Sequence, residues 1–236
     1  MPAQHVRTIR TPHVTLIVDY HTGDVAVLTG ATLATWLSML QETPTVSVTS
    51  RQGSVVAGLA ARGWLITGRE GQHRTPAVYL EPSPASWGTQ EAATQLNPIA
   101  ASPWWWRLAA VPAVLVTLAV RHIGHSRRRF ARMVALANVG SRLTPATADS
   151  ARHAVRAVRW AARLIPARVA CLEESVAAGL LLASAGCRAR WVHGIAIDPL
   201  RLHAWLADEA GRPIDEAADT IQYTPINQDQ TGGARE

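Results

Sequence analysis

Lysine is absent from the 236 residues, so every basic side chain other than histidine is one of the 23 arginines. GC-rich coding accounts for that bias as readily as a demand for bidentate anion binding does. Cysteine is scarce: Cys171 and Cys187 are the only two, too few for a disulfide framework. No stretch of eighteen uninterrupted apolar residues occurs, which removes the simple signature of a membrane-spanning helix. The first residues, MPAQHVRTIR, have none of the apolar core of a secretory signal. Together these absences predict a cytoplasmic protein with reduced thiols. What is present argues against disorder, since 48% of the residues are hydrophobic and 17% charged, enough to build the core of one large domain or two small ones.

The net charge of +6 is unevenly spread. Residues 1–103 hold six Arg and six acids, residues 104–170 twelve Arg against Asp149 alone, and residues 171–236 five Arg against ten acids. In the basic middle, Arg152, Arg156, Arg159 and Arg163 fall at i, i+4, i+7 and i+11, with Val155, Val158, Ala162 and Ile165 opposite. That predicts an amphipathic helix with a basic stripe. A solvated face is the plain reading of the stripe, and a cradle for an acidic peptide or nucleic acid the sharper one. No zinc-finger spacing, RNA-binding signature or interleaved aromatics accompany it, so nucleic acid is not an expected partner.

The first eighty residues read as a small β-then-α module. Apolar residues alternate from His13 to Asp19 and from Asp24 to Thr29 around the turn Tyr20-His21-Thr22-Gly23, a β-hairpin signal. Leu33, Trp36, Leu37 and Leu40 then recur at helical spacing, Pro44 punctuates, and Val55, Val56, Leu59 and Ala60 share one face of a later helix that stops at Gly63. Three short helices beside a small sheet are expected. From Tyr79 to Pro103 the composition shifts to Pro, Ser, Ala, Gln and Asn, which reads as a linker. The boundaries predicted are 1–80 for the first domain, 81–103 for the linker and 104–236 for the second domain.

The second domain opens on Trp104, Trp105, Trp106 and Arg107, followed by the apolar or small run Leu108–Val120 and the basic RHIGHSRRRF. An aromatic belt, an apolar helix and a positive flank suit a membrane interface. The run is too short for a span, and Pro112 interrupts it. A buried helix is the preferred reading, with peripheral membrane or partner contact second.

After Pro166, the segment Cys171-Leu172-Glu173-Glu174-Ser175 opens an apolar helix running to about Ser184. Unpaired N–H groups and the helix dipole at such an end favour negative charge, and so a thiolate. Two strand-like segments follow, Arg190–Ile197 and Arg201–Ala207, then the turn Asp208-Glu209-Ala210-Gly211 and a third segment, Arg212–Glu216. A hairpin about that turn sets His203 level with Asp215 or Glu216, according to loop length. Nucleophile, base and orienting acid then follow in the order Cys, His, Asp. Papain-type proteases also place Cys before His, but over roughly 130–150 residues; a gap of 32 excludes them here. Cys187 and His193 read as packed strand residues, and with His203 they lack a fourth ligand at zinc-like spacing. No metal is expected, and no phosphate-cradling glycine loop is present.

Cys171-Leu172-x-x-Ser175, then Gly194 and Pro199, then His203-Ala204-Trp205, then Gly211 to Asp215 and Tyr223-Thr224-Pro225-Ile226, resemble the transglutaminase-like cysteine protease of lasso-peptide biosynthesis. Val18-Asp19, Gly23, Val27-Leu28, Trp36, Leu40, Leu59 and Gly63-Trp64-Leu65 are similar to the PqqD-like precursor-recognition domain, a winged helix-turn-helix. The resemblance covers most of the chain apart from the linker and much of the basic middle. It implies an α+β protein with an N-terminal winged helix-turn-helix (PqqD-like) module and a C-terminal transglutaminase-like domain with a papain-like core. It further implies a leader peptidase with Cys171 as nucleophile, His203 as base and Asp215 as orienting acid, needing no cofactor. The hairpin is one residue longer than the commoner form, so Glu216, or less readily Asp208, stands as an alternative acid. The leader of a precursor peptide would add as a strand along Val25, Ala26, Val27 and Leu28, against the helix bearing Val55 and Leu59. An ATP-dependent lasso cyclase is the implied second partner. The rival reading is a non-catalytic adaptor that binds a leader and docks a cyclase or membrane through its Arg-rich middle.

Overall fold

The alternating segments on either side of Tyr20–Gly23 do pair. The computed structural model describes residues 3–11, 14–40, 50–65, 78–80, 101–197 and 200–227. The described residues divide into two compact units, 3–80 and 101–227. In the first, β1 (Val6–Arg10), β2 (Thr15–Asp19) and β3 (Val25–Leu28) are successively antiparallel. Helices α1 (Gly30–Leu40) and α2 (Ser50–Ala61) follow, and β4 (Val78–Tyr79) joins β1 in parallel, giving the order β3-β2-β1-β4.

Gly23, at φ +85°, supplies the left-handed residue of the β2–β3 turn. Asp19 Oδ1 accepts from the His21 N–H at 2.7 Å in the same turn. The core gathers Val6, Ile17, Leu28, Trp36, Leu59 and Trp64. Its two indoles are satisfied, Trp36 Nε1 donating to Thr8 Oγ1 at 3.3 Å and Trp64 Nε1 to Asp19 Oδ2 at 3.0 Å. Strand β1 escaped the sequence reading because its inward position 8 holds a threonine, which breaks the apolar alternation; Thr8 is nonetheless buried under Trp36. Two of the three expected helices lie among the described residues. Pro44, residues 81–100 of the expected linker and Pro199 lie outside them, whereas Tyr79, assigned to the linker, is a strand residue.

In the second unit, α3 (Trp104–His122) leads through a 3-10 turn (Ser126–Arg128) to α4 (Arg129–Ala137), β5 (Thr144–Pro145) and α5 (Ala148–Ala162). Next come α6 (Cys171–Ser184), β6 (Cys187–Arg188), β7 (Arg190–Ile197), β8 (Leu200–Ala207), a second 3-10 turn (Ala218–Gln222) and β9 (Thr224–Pro225). Strands β8, β7 and β9 form an antiparallel sheet in that order, and β5 pairs with β6. Helix α6 is the hub, packed against α3, α4, α5 and β8. Val176, Ala177, Ala178, Leu181 and Leu182 are all buried. Two alanines among the α6 core positions, Ala177 and Ala178, let neighbouring backbones approach closely.

Two expectations need correction. The segment Arg212–Glu216 is not a third strand: only the bridge Ala207↔Pro213 and the Ile214 N–H to Leu206 carbonyl bond (2.9 Å) extend the ladder. Pro213 has no N–H to donate, and Asp215 turns left-handed at φ +54°, so the chain leaves the sheet there. Helix α3 does not break at Pro112, and it is not a fully buried helix. Ala110, Ala113, Val114 and Thr117 face the core while Pro112 lies on the open side.

Candidate active site

Cys171 is the first residue of α6, placed there because Pro166 and the extended Ala170 (φ −105°, ψ 178°) hold the preceding chain out of helix. Ala170 offers no capping side chain, so Glu173 reaches back and accepts from the Ala170 N–H at 3.0 Å, half of a capping box. Its other oxygen takes the Arg121 guanidinium from the end of α3. This buried carboxylate ties the start of α6 to α3, and the first-turn carboxylates suit the helix dipole. Ser175 Oγ accepts from Trp191 Nε1 at 3.0 Å and donates to the Leu172 carbonyl at 3.1 Å. The serine of the Cys-x-x-x-Ser motif therefore pins the first turn of α6 to β7.

His203 sits in the middle of β8, opposite Gly194 on β7. A Cβ at Gly194 would lie 2.6 Å from the Trp205 ring and 3.1 Å from the Thr224 carbonyl oxygen. Glycine there admits the Trp205 indole, which stacks beside His203 at 5.6 Å and 18°. Tyr223 closes on the His203 ring from 5.2 Å. It is held there by β9 and by Asn227, whose side chain accepts from the His193 N–H (2.9 Å) and donates to the Trp191 carbonyl (3.0 Å). The motif Tyr223-Thr224-Pro225-Ile226 is thus the third strand that seats the imidazole.

Cys171, His203, Glu216, Glu174, Arg159 and Ser175 line one cleft. The Cys171 side chain is a hydrogen-bond partner of His203. On the other side of the ring, His203 Nε2 meets Glu216 Oε2 at 3.0 Å. Burial acts to lower the His203 pKa. The hydrogen bonds to Cys171 and Glu216, with their charges, outweigh it and raise the value to about 9. The ring is therefore an imidazolium at neutral pH, set between the Cys171 sulfur and the Glu216 side chain.

The acid facing His203 is Glu216; the expected Asp215 is not brought to it. The left-handed turn at Asp215 sends that side chain to α5, where Arg156 binds Oδ1 through Nε (2.9 Å) and Nη2 (2.7 Å), and swings the next residue back to the imidazole. Arg159 gathers the remaining acids, with Glu216 Oε1 at 2.6 Å, Glu174 Oε2 at 3.6 Å and Asp215 Oδ2 at 3.5 Å. Asp208, the third candidate, stays in its turn, held below the usual carboxylate range by the Arg212 N–H and guanidinium. The basic stripe on α5 is consequently neither a solvated face nor a cradle at its centre. Two of its four arginines are engaged there, Arg156 by Asp215 and Arg159 by the cleft acids Glu174 and Glu216 as well as by Asp215. Beside them, burial pushes the Glu174 carboxyl up against the pull of Arg159.

His193 is buried on the opposite face of the sheet, across from Ala204. Burial, then the nearby charge of His203, lowers its pKa to about 4. Cys187 points at the Leu182 carbonyl (3.5 Å). With His203 these residues form no metal-ligand cluster among the described residues. His5, Asp19 and His21 do bring ligand atoms within 4.8 Å of one another. Their imidazoles stack face to face at 3.7 Å and 6°, so the in-plane lone pairs do not converge, and Asp19 is engaged by Trp64 and the β2–β3 turn.

In the first unit, β3 is an edge strand with Val25 and Val27 exposed and Ala26 half-buried. Val55 is half-buried, while Leu28 and Leu59 are both 4% exposed and belong to the core. The reachable part of the expected leader-binding set is thus the outer edge of β3.

No curated protein and no solved structure matches the chain significantly. One family model does, that of the transglutaminase-like superfamily, over residues 113–228. That superfamily includes cysteine peptidases and transferases. The match takes in α4 to β9 with most of α3, and hence every residue of the cleft. Residues 113–228 are a transglutaminase-like superfamily domain.

Proposed function

We propose that the protein is a leader peptidase of lasso-peptide maturation that cleaves through Cys171, His203 and Glu216. The observation that carries this is the convergence of a helix-start cysteine, a histidine and a glutamate in one cleft. The Cys171 sulfur attacks the carbonyl carbon at the leader–core junction, and N–H groups of the first turn of α6 stabilise the oxyanion. His203 passes its proton to the leaving amine, and a thioester to the sulfur remains. Water, deprotonated by His203, hydrolyses that thioester and frees Cys171. Glu216 keeps the imidazole oriented and stabilises it whenever it carries the proton, and Arg159 keeps Glu216 in place.

The first unit supports the same reading through the exposed edge of β3, where an extended leader adds as a strand. Tethering then makes cleavage by the second unit effectively intramolecular. The freed core peptide, with its new α-amine, is the substrate for a separate ATP-dependent cyclase. The test is Cys171→Ala: precursor cleavage, followed by mass spectrometry, falls to background while leader binding by the same chain persists. Iodoacetamide labels Cys171 ahead of Cys187 and stops turnover in step. Unchanged cleavage by Cys171→Ala would replace the peptidase reading with the adaptor reading.

A further inference from the structure

We propose that the open face of α3, with the arginines that follow it, is a docking surface for an anionic lipid membrane. Helix α3 is apolar on both sides. Ala110, Ala113 and Val114 pack into the core, yet the outward side carries Trp104 (67% exposed), Leu108 (60%), Leu115 (51%) and Ile123 (69%, just past the helix end). Their spacing of four, seven and eight residues puts them on one stripe running the length of the helix. A helix apolar all round belongs inside a core or against lipid, and half of this one faces neither a core nor another described element. It is not long and apolar enough to cross a bilayer, so it lies along the surface.

The two ends of the stripe select the partner. Trp104 and Trp105, both exposed at the start of α3, have the amphipathic rings that settle at the headgroup boundary. At the other end, Arg127, Arg128 and Arg129 are exposed, with no ion-pair partner among the described residues. No acid occurs between residues 104 and 148 to offset them. An apolar stripe with interfacial tryptophans and an unopposed cationic end matches an interfacial helix on anionic lipid.

The experiment is flotation of the full chain with vesicles of phosphatidylcholine alone and of phosphatidylcholine with about a third phosphatidylglycerol, an amount in keeping with the charge requirement. The chain floats with the anionic vesicles, is released by high salt, and does not float with the neutral ones. Arg127→Gln, Arg128→Gln and Arg129→Gln combined lower partitioning about a hundredfold. Leu108→Glu with Leu115→Glu abolishes flotation while the circular dichroism spectrum and cleavage of soluble precursor stay unchanged, because both side chains lie outside the core. A parent chain that stays in the soluble fraction overturns the proposal, as does a Leu108→Glu/Leu115→Glu chain that floats like the parent. Loss of self-association in that variant, with no flotation of the parent, assigns the face to a second copy of the chain and overturns it equally.

Discussion

Glu216→Gln separates the two adjacent carboxylates most sharply. The substitution keeps the side chain's shape and removes its charge, 3.0 Å from His203 Nε2 and 2.6 Å from an Arg159 Nη. Against burial, two partners hold the imidazolium at a pKa of about 9, and Glu216 is one of them. With only Cys171 left to oppose burial, the His203 pKa falls. The alkaline limb of kcat/KM, which follows loss of the imidazolium proton near pH 9 in the parent, therefore moves to lower pH. Loss of the orienting charge costs up to about 10⁴-fold in kcat, the loss that follows neutralising a triad acid. Asp215→Asn serves as the internal contrast. It loosens a fork to Arg156 on a side chain about a fifth exposed, which costs about 1–2 kcal/mol of stability and less than about tenfold in rate, with the alkaline limb in place. Cleavage of a precursor peptide from pH 6 to 10, read by mass spectrometry, measures both. Full activity in Glu216→Gln beside a dead Asp215→Asn would refute the reasoning and restore Asp215.

Gly194→Ala inserts a methyl group 2.6 Å from the Trp205 ring. It should cost about 1–3 kcal/mol in urea unfolding and lower kcat by displacing the indole stacked on His203. The two histidines of the sheet set opposite pH limits on stability. His203, raised from 6.5 to about 9, stabilises fully below pH 6.5, and that contribution is lost as pH rises through about 9. His193, lowered from 6.5 to about 4, stabilises fully above pH 6.5 and loses that contribution as pH falls toward 4. Each shift is worth up to about 3 kcal/mol. Urea titrations at intervals of pH should show both limbs, with His193→Gln flattening only the acid one and Glu216→Gln only the alkaline one; limbs indifferent to these substitutions would contradict the assignment.

Elements with an unbroken period were readable before the fold was known. Helix α6 and strands β7 and β8 agree with their expected limits almost to the residue, because apolar spacing there is continuous and bounded by Gly186 and the Asp208–Gly211 turn. The identity of the acid was not readable. Asp215 and Glu216 are neighbours, and a one-residue change of register exchanges their faces. Only the left-handed backbone at Asp215 decides between them, and aspartate carries no obligatory signal for that conformation. The purpose of the arginine stripe was hidden for another reason. Its spacing reports that Arg156 and Arg159 share a helix face, but Asp215 and Glu216, which they hold, stand 56–59 residues further along the chain, and periodicity is blind to contacts at that separation.

The dependence of His203 on Tyr223 and β9 has a temporal consequence. During synthesis, Cys171, α6 and the β7–β8 hairpin emerge well before residues 223–227, which complete the sheet and press Tyr223 against the imidazole. Domains fold as units as the chain leaves the ribosome. A nascent chain that already exposes its thiol therefore lacks an ordered base until about twenty more residues beyond His203 are released. The chain order thus completes the cleft late, when the fold around it is already in place.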